Sequence, residues 1–348
     1  MTSQLDFSVG MGKEVTYGVA ATATRFFEAE AKMKLAISRV QGKGLRPTKT
    51  VNRLSRSSIS RYEVSGDQQV EALTSGLGYL INAVMGTVVS TVIPTATPVA
   101  YQQVHTLSES DPVASYTIQE VLPMIGGTGV GVHTFTGCVA ESLDIEAKEG
   151  AVVTAKISWL GKDATHGGAP AAASYPASDA MFTFVHGAIV HGGTLVPPTT
   201  TAVASLTGGV AAINIVDFSL SIKNNLDTGG FNLGGAGKRS RVNSLGTRSI
   251  TGKITAEFSN EVLRTAFTSQ TPLPIVLTFA HDVSMATVSS VAIYPTIQIV
   301  LPSVILKGEL PTSNGGAPIT LSLDFDAYDN GTAAEPIWIT YRTLDTAV

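Results

Sequence analysis

Apolar and polar residues alternate with a period of two over much of the chain. The runs Lys34–Ile37, Ser58–Val64, Tyr116–Leu122, Val152–Trp159, Val216–Ile222, Ser249–Phe258 and Ile319–Phe325 are rich in β-branched and aromatic side chains. Such runs predict half-buried strands, with one face in a core and one in water. A helical period stands out in two places. Between Asp67 and about Met85, Val70, Leu73, Leu77, Leu80, Ile81 and Val84 share a face, with Asp67 as N-cap and Glu71 in the first turn. Between Asn260 and Ser269, Val262, Leu263, Ala266 and Phe267 do the same behind the cap Asn260. The stretch Leu77–Ile93 is uncharged but too short, and too rich in Gly, Ser, Thr and Asn, for a spanning helix. It predicts a buried helix passing into a strand. The fold class is all-β with minor α.

Internal similarity adds domain organisation. Thr117-Ile-Gln-Glu-Val-Leu-Pro123 recurs as Thr296-Ile-Gln-Ile-Val-Leu-Pro302, six identities in seven positions. Leu35–Ile37 resembles Leu220–Ile222, the strand through Ile59 resembles that through Ile250, and Val153–Trp159 resembles Ile319–Phe325. The four matches keep one order, which predicts two duplicated β-sandwich domains, each with one flanking helix. The expected division is an N-terminal arm at 1–25, domain one at 26–165, a linker at 166–179, domain two at 180–330 and a C-terminal arm at 331–348.

Charge then separates the loops from the body. Only 14% of the 348 residues are charged, and the net charge is -4, so no global pull towards nucleic acid exists. Arg39, Lys43, Arg46, Lys49, Arg53, Arg56 and Arg61 form one segment without an acid; Lys238, Arg239, Arg241, Arg248 and Lys253 form another. Both lie between the first strand and the helix of their unit. They read either as solvated loops or as docking elements for an acidic partner, a copy of this chain or a nucleic acid. Basic loops meeting an acidic body favour head-to-tail stacking.

Candidate chemistry is sparse. The start Met1-Thr-Ser-Gln-Leu-Asp-Phe7 lacks the basic and apolar runs of a secretion signal. One cysteine, Cys138, excludes a disulfide framework and a cysteine-based zinc site, and reads as a buried small side chain. His186 and His191, five apart among glycines, are weighed as a metal pair and read as hairpin residues. Gly126–Gly131 follows a strand but precedes another strand, so no helix N-terminus awaits a pyrophosphate. Asp324, Asp326 and Asp329, like Glu141, Asp144, Glu146 and Glu149, read as acidic faces rather than glycosidase pairs, since no aromatic platform accompanies them. No catalytic, cofactor or metal site is expected.

Gly12-Lys-Glu-Val-Thr-Tyr-Gly18 resembles the Glu-x-x-Tyr-Gly opening of the tail tube proteins of long-tailed bacteriophages. Phe218–Leu226, a glycine-rich basic loop, Arg248–Phe258 and the closing strand Ser322–Asp329 resemble their characteristic run. The resemblance implies a structural virion protein of the tail, assembled in the host cytoplasm, whose stacked rings conduct DNA without binding it specifically. It implies self-association, contact with tape measure, tail terminator and distal tail proteins, and no membrane. A carbohydrate- or receptor-binding β-sandwich is the alternative.

Two domains per chain lead to an expected trimeric ring of pseudo-sixfold symmetry, with a hexamer as the alternative. Arg39, Lys43, Arg46, Lys49, Arg53, Arg56, Lys238, Arg239 and Arg241 are the expected contacts between subunits or rings. Glu141, Asp144, Glu146 and Glu149 are the expected lumen acids, because an acidic wall lets DNA slide; neither basic segment is expected inside.

Overall fold

The computed structural model describes residues 5–345, apart from 112, 126–128, 177–178, 213, 259–260 and 314. Its strands in the first half are β1 (Ser8–Lys13), β2 (Arg25–Phe27), β3 (Ala29–Ala31), β4 (Lys34–Gln41), β5 (Ser57–Glu71), β6 (Gly86–Val92), β7 (Tyr101–Leu107), β8 (Tyr116–Pro123), β9 (Val130–Lys148), β10 (Thr154–Gly161) and β11 (Asp163–His166). The second half continues with β12 (Gly187–His191), β13 (Thr194–Val196), β14 (Ser205–Thr207), β15 (Val210–Ala212), β16 (Ile215–Lys223) and β17 (Ser249–Glu257). It closes with β18 (Leu273–Ala280), β19 (Ala286–Val288), β20 (Val291–Ile293), β21 (Thr296–Gly308), β22 (Thr320–Ala327) and β23 (Trp338–Thr343). The two α-helices are α1 (Leu77–Met85) and α2 (Val262–Ser269). The class is all-β with minor α, and no helix among the described residues is long and apolar enough to cross a membrane.

One pairing pattern occurs twice. In the first half, β3 and β4 pair with one side of β5, the other side of β5 pairs with β10, and β10 pairs with the second part of β9. In the second half, β16 pairs with β17, then β22, then the second part of β21. The first part of each long strand belongs to an opposing sheet: β2–β1–β8–β9–β11 in one half and β15–β12–β18–β21–β23 in the other. β9 also pairs with β16 over seven residues, from Asp217↔Lys148 to Lys223↔Ser142. That ladder joins the halves into one antiparallel sheet, β3/β4–β5–β10–β9–β16–β17–β22–β21.

Two sequence expectations need revision. Asp67 is not a helix cap. It lies in β5, where it accepts a hydrogen bond from Ser158 Oγ (2.8 Å) and pairs with Lys156 (3.1 Å). Val70, Leu73 and Leu77 fall at helical spacing, yet the eight-residue ladder from β5 to β10 holds this segment extended. The helix starts only at Leu77 and is buried almost all round, and Gly86, at φ +88°, ends it in the left-handed region. A strand, β6, follows directly, as the stretch Leu77–Ile93 predicted. The second revision concerns the repeated heptapeptide. It falls on β8 and on the first part of β21, which hold different places in the two patterns; β18 is the strand that occupies the place of β8. The predicted second helix is present from Val262, while its expected cap Asn260 lies outside the described residues, as do Gly126, Gly127 and Thr128.

Neither terminal segment hangs free over its strand. β1 sits between β2 and β8 with Val9 and Met11 fully buried. β23 sits between β21 and β7, and Tyr341 donates its hydroxyl to Leu73 O (2.9 Å). The core of the first half carries a run of edge-on aromatic pairs, Tyr79–Tyr116 at 5.7 Å and Tyr116–Trp159 at 5.9 Å. Trp338 is buried in a satellite cluster and Cys138 in the main core.

The Glu-x-x-Tyr-Gly segment has a physical role here. Glu14 is buried and accepts four hydrogen bonds, from Gly18 N (2.8 Å), Ser115 Oγ (2.7 Å), Thr117 Oγ1 (2.9 Å) and Gly137 N (2.8 Å). Gly18 has φ +72°, and a Cβ there would lie 2.4 Å from Lys162 Cδ. Tyr17 presents its ring to the Lys162 ammonium at 5.0 Å. The motif therefore fastens the N-terminal strand to β8, β9 and the segment after β10. Exchanging Glu14 for Gln removes the charge and adds donors among four donors. Urea unfolding should show a loss of about 2–4 kcal/mol with an unchanged denaturant slope; an unchanged midpoint would contradict this account.

His105, on β7, is fully buried, and neither ring nitrogen has a partner among the described residues. Burial pulls its pKa from 6.5 down to about 3. The folded chain keeps the ring neutral, while the unfolded chain takes up a proton below pH 6.5. Stability is thus unaffected by this group above pH 6.5 and falls as pH drops towards 3, by up to about 1.4 kcal/mol per unit. His105→Leu should lose stability less steeply than wild type between pH 6.5 and 4 in urea unfolding. Parallel slopes would show that the ring is solvated.

Candidate assembly surfaces

The joined sheet has one apolar and one polar face. On the strands around its centre, Leu143, Ile145, Ala147, Ile157, Leu220, Ile222, Ile254 and Leu323 are buried on the core side. The intervening residues form cross-strand rows on the other side. One row reads Gln69, Lys156, Asp144, Ser221, Thr251, Asp326; the next reads Glu71, Thr154, Glu146, Ser219, Lys253, Asp324, Lys307. These rows floor a shallow cavity of roughly 570 Å³. Hydroxyls and charges of both signs alternate. Lys148 pairs with Glu146 at 2.7 Å, Lys156 with Asp67 at 3.1 Å, and Lys307 with Asp326. Ser221 Oγ donates to Asp144 at 2.5 Å.

The four acids singled out in the sequence do not share one fate. Asp144 and Glu146 lie on the polar face. Glu141 occupies the irregularity where β9 leaves register with β10; it accepts a hydrogen bond from Leu226 N at 2.9 Å, and burial pushes its carboxyl up. Glu149 is exposed in the turn after β9. Sequence reasoning missed Asp67, Lys156 and Lys307 on this face, although strict alternation along β5 and β10 carried the signal. Lys253, assigned to the second basic segment, also lies on the polar face, because it follows the alternation of β17.

The two basic segments occupy the same place in the pairing pattern, yet they fold differently. The first extends β4 and β5 into a hairpin beyond the sheet. The hairpin leaves Arg39, Lys43, Arg46, Lys49 and Arg56 exposed and Arg53 half-buried, together with the exposed Leu45 (95%), Val51 (81%) and Leu54 (82%). Arg39 Nε donates to Ser57 Oγ at 3.1 Å, a contact within the hairpin. The second segment is folded onto the first half. Arg239 is only 3% exposed and donates to Thr228 O (2.7 Å) and Gly229 O (2.8 Å). Arg239 and Arg61 both lie over the Phe231 ring, at 4.8 and 4.5 Å. Lys238 pairs with Asp163 at 2.5 Å, Arg241 pairs with Asp227, and Tyr62 N donates to Gly237 O at 2.8 Å. Phe231, an aromatic in a glycine-rich loop, was the sequence signal for this anchoring.

At the other end of the sheet, opposite the hairpin, Glu30, Glu71, Glu149, Asp217 and Glu257 crowd the strand ends, with Lys32 and Lys148 between them. The lateral edges are also exposed. β3 and β4 pair with β5 alone, and Ile305–Gly308 pair with β22 alone, among the described residues. Leu306 O receives a hydrogen bond from Gln270 Nε2 at 3.1 Å.

The histidines weighed as a metal pair are not brought together. β12, spanning about 16 Å, separates His186 from His191, and His191 is buried at its end. His186 lies instead against His281, with ring centroids 4.6 Å apart.

No curated protein matches the chain. The family model described as phage tail tube protein matches residues 6–327, nearly the whole length, and it describes a structural component of the virion tail, not an enzyme family. The polar sheet face, the unpaired lateral edges and the projecting hairpin are therefore surfaces of a chain that belongs to the phage tail tube protein family.

Proposed function

We propose that copies of this chain close into rings that stack into the tail tube and conduct DNA through the lumen. The observation that carries the reading is the β9–β16 ladder. Within one chain it joins the last strand of one four-strand unit to the first strand of the next. The same pair of edges, the second part of β21 and β3/β4, has no further strand beside it at the two ends of the sheet among the described residues. Joining β21 of one copy to β3/β4 of the next repeats a contact the chain already makes, and closing the sheet removes both edges. The recurring pattern supports two equivalent domains per chain. Three chains then supply the six units of a pseudo-sixfold ring.

The polar face lines the lumen in this ring. Its two rows carry five carboxylates, of Glu71, Asp144, Glu146, Asp324 and Asp326, against the lysines Lys156, Lys253 and Lys307, so the wall is acidic on balance with part of its charge paired. Lysines paired with carboxylates at 2.7–3.1 Å are neutralised locally, so they hold no phosphate, and hydroxyls cover the space between. DNA slides because most of the wall's lysines are paired and its remaining net charge repels phosphate. Stacking places the basic hairpin of one ring on the acidic strand ends of the next, a heterologous contact that repeats along an axis.

Cryo-electron microscopy of the purified protein tests the ring. The expected image is a tube with threefold order and two similar but unequal densities per chain. True sixfold order with one whole chain per repeat would refute it.

Charge reversal separates the two basic segments. Arg53→Glu with Arg56→Glu should shorten the tubes in sedimentation while leaving the melting temperature within about 2 °C, since neither side chain has an ion pair among the described residues and both lie in the projecting hairpin. Arg239→Ala should lower stability by about 2 kcal/mol through lost bonds to Thr228 and Gly229 and the lost stack on Phe231. A lowered melting temperature with unchanged tube length for the first variant would show those arginines serve folding instead.

A further inference from the structure

We propose that His133 and His166 form a binding site for a divalent copper or nickel ion. His133 on β9 and His166 on β11 stand directly opposite each other in an antiparallel pair. Their Nδ1 atoms are 2.8 Å apart, and the rings meet edge to face with centroids at 4.7 Å and an interplanar angle of 75°. That contact needs a proton on one of the two nitrogens. Once both are unprotonated there, small rotations of the two surface rings turn both lone pairs from each other towards one ion, and neither ring has another hydrogen bond among the described residues.

The separation selects the ion. With metal–nitrogen bonds of about 2.0 Å, cis ligands of a tetragonal ion lie roughly 2.8–2.9 Å apart, while tetrahedral zinc needs about 3.3 Å. The pair matches the tetragonal value without moving either strand. His166 is exposed, so water can fill the remaining positions. The cluster of His186, His281 and Asp282 is less suited, although its donor atoms lie within 4.8 Å of one another. There Nδ1 of His186 accepts from Thr183 N (3.0 Å) and Nδ1 of His281 from Val283 N (3.1 Å), which holds the proton of each neutral ring on Nε2.

The place of the pair gives the ion a task. β23, which holds in the second half the position that β11 holds in the first, is flanked on its outer side by β7. β11 has four residues and no strand on its outer side among the described residues. An ion bridging His133 and His166 ties this short edge strand to β9, just before the chain crosses to the second half.

The test is titration of Cu²⁺ into the full chain, followed by calorimetry and electron paramagnetic resonance. Wild type should bind one equivalent with an axial spectrum split by two nitrogens. His133→Asn and His166→Asn should each weaken binding at least tenfold, and the His186→Asn, His281→Asn double variant should bind as wild type does. The exchanged His133 and His166 lie at the surface, and circular dichroism checks that each variant is folded. Equal affinity in wild type and His133→Asn would overturn the proposal, as would loss of binding only in the double variant.

Discussion

Backbone hydrogen bonding across β9 and β16 is the interaction on which the rest of the molecule depends. A strand edge presents donors and acceptors that must be paired, covered or charged. β9 solves this on both sides, with β10 and β16 along its second part and with β8 and β11 along its first. Because one strand serves two sheets and both halves, the cores merge: Leu143 and Ile145 of the first half and Leu220 and Ile222 of the second belong to one buried cluster. The polar face is fixed by the same ladder, since the register that buries Ile145 and Leu220 leaves Glu146 and Ser219 outward.

The lower charge content of the chain follows from this arrangement. A sheet with a hydroxyl-rich face needs few ions, and several of those present are paired, Lys156 with Asp67 and Lys307 with Asp326 across strands and Lys148 with Glu146 along β9. Such pairs add little stability at a surface. Their effect on the proposed lumen is different: each pair cancels a charge that would otherwise repel or trap a polyanion.

The sequence displays strands far better than their partners. Ala155, Ile157 and Trp159 alternate with Lys156 and Ser158, and β10 was legible from that alone. β5 was not read to its end, because Val70, Leu73 and Leu77 coincide with a helical spacing and only the ladder to β10 resolves the conflict. The two heptapeptides that signalled duplication lie in strands of different rank, so similarity there reflects a shared buried environment rather than a shared position. Nothing in the pattern of cations separated Arg53 from Arg239. What differs is a floor to fold on, and a floor is a property of the tertiary structure.

That difference explains the unlike conformations of the two basic segments. Residues 224–248 leave β16 beside β9, so the top of the first half lies directly beneath them. Asn224 bonds Ala140 O at 2.9 Å, Leu226 and Val139 share a buried cluster, and Arg239 closes over Phe231. Residues 37–62 leave β4 at the free edge of the sheet, where no such floor exists within the chain, and they extend as a hairpin. Basic loops at equivalent places thus fold differently because one edge is internal and the other is terminal. In the proposed ring the terminal edge meets a neighbouring copy, whose second half would lie where that floor is missing within the chain. Within the single chain one segment projects as a hairpin and the other is anchored as a loop, a difference set by what lies beneath each.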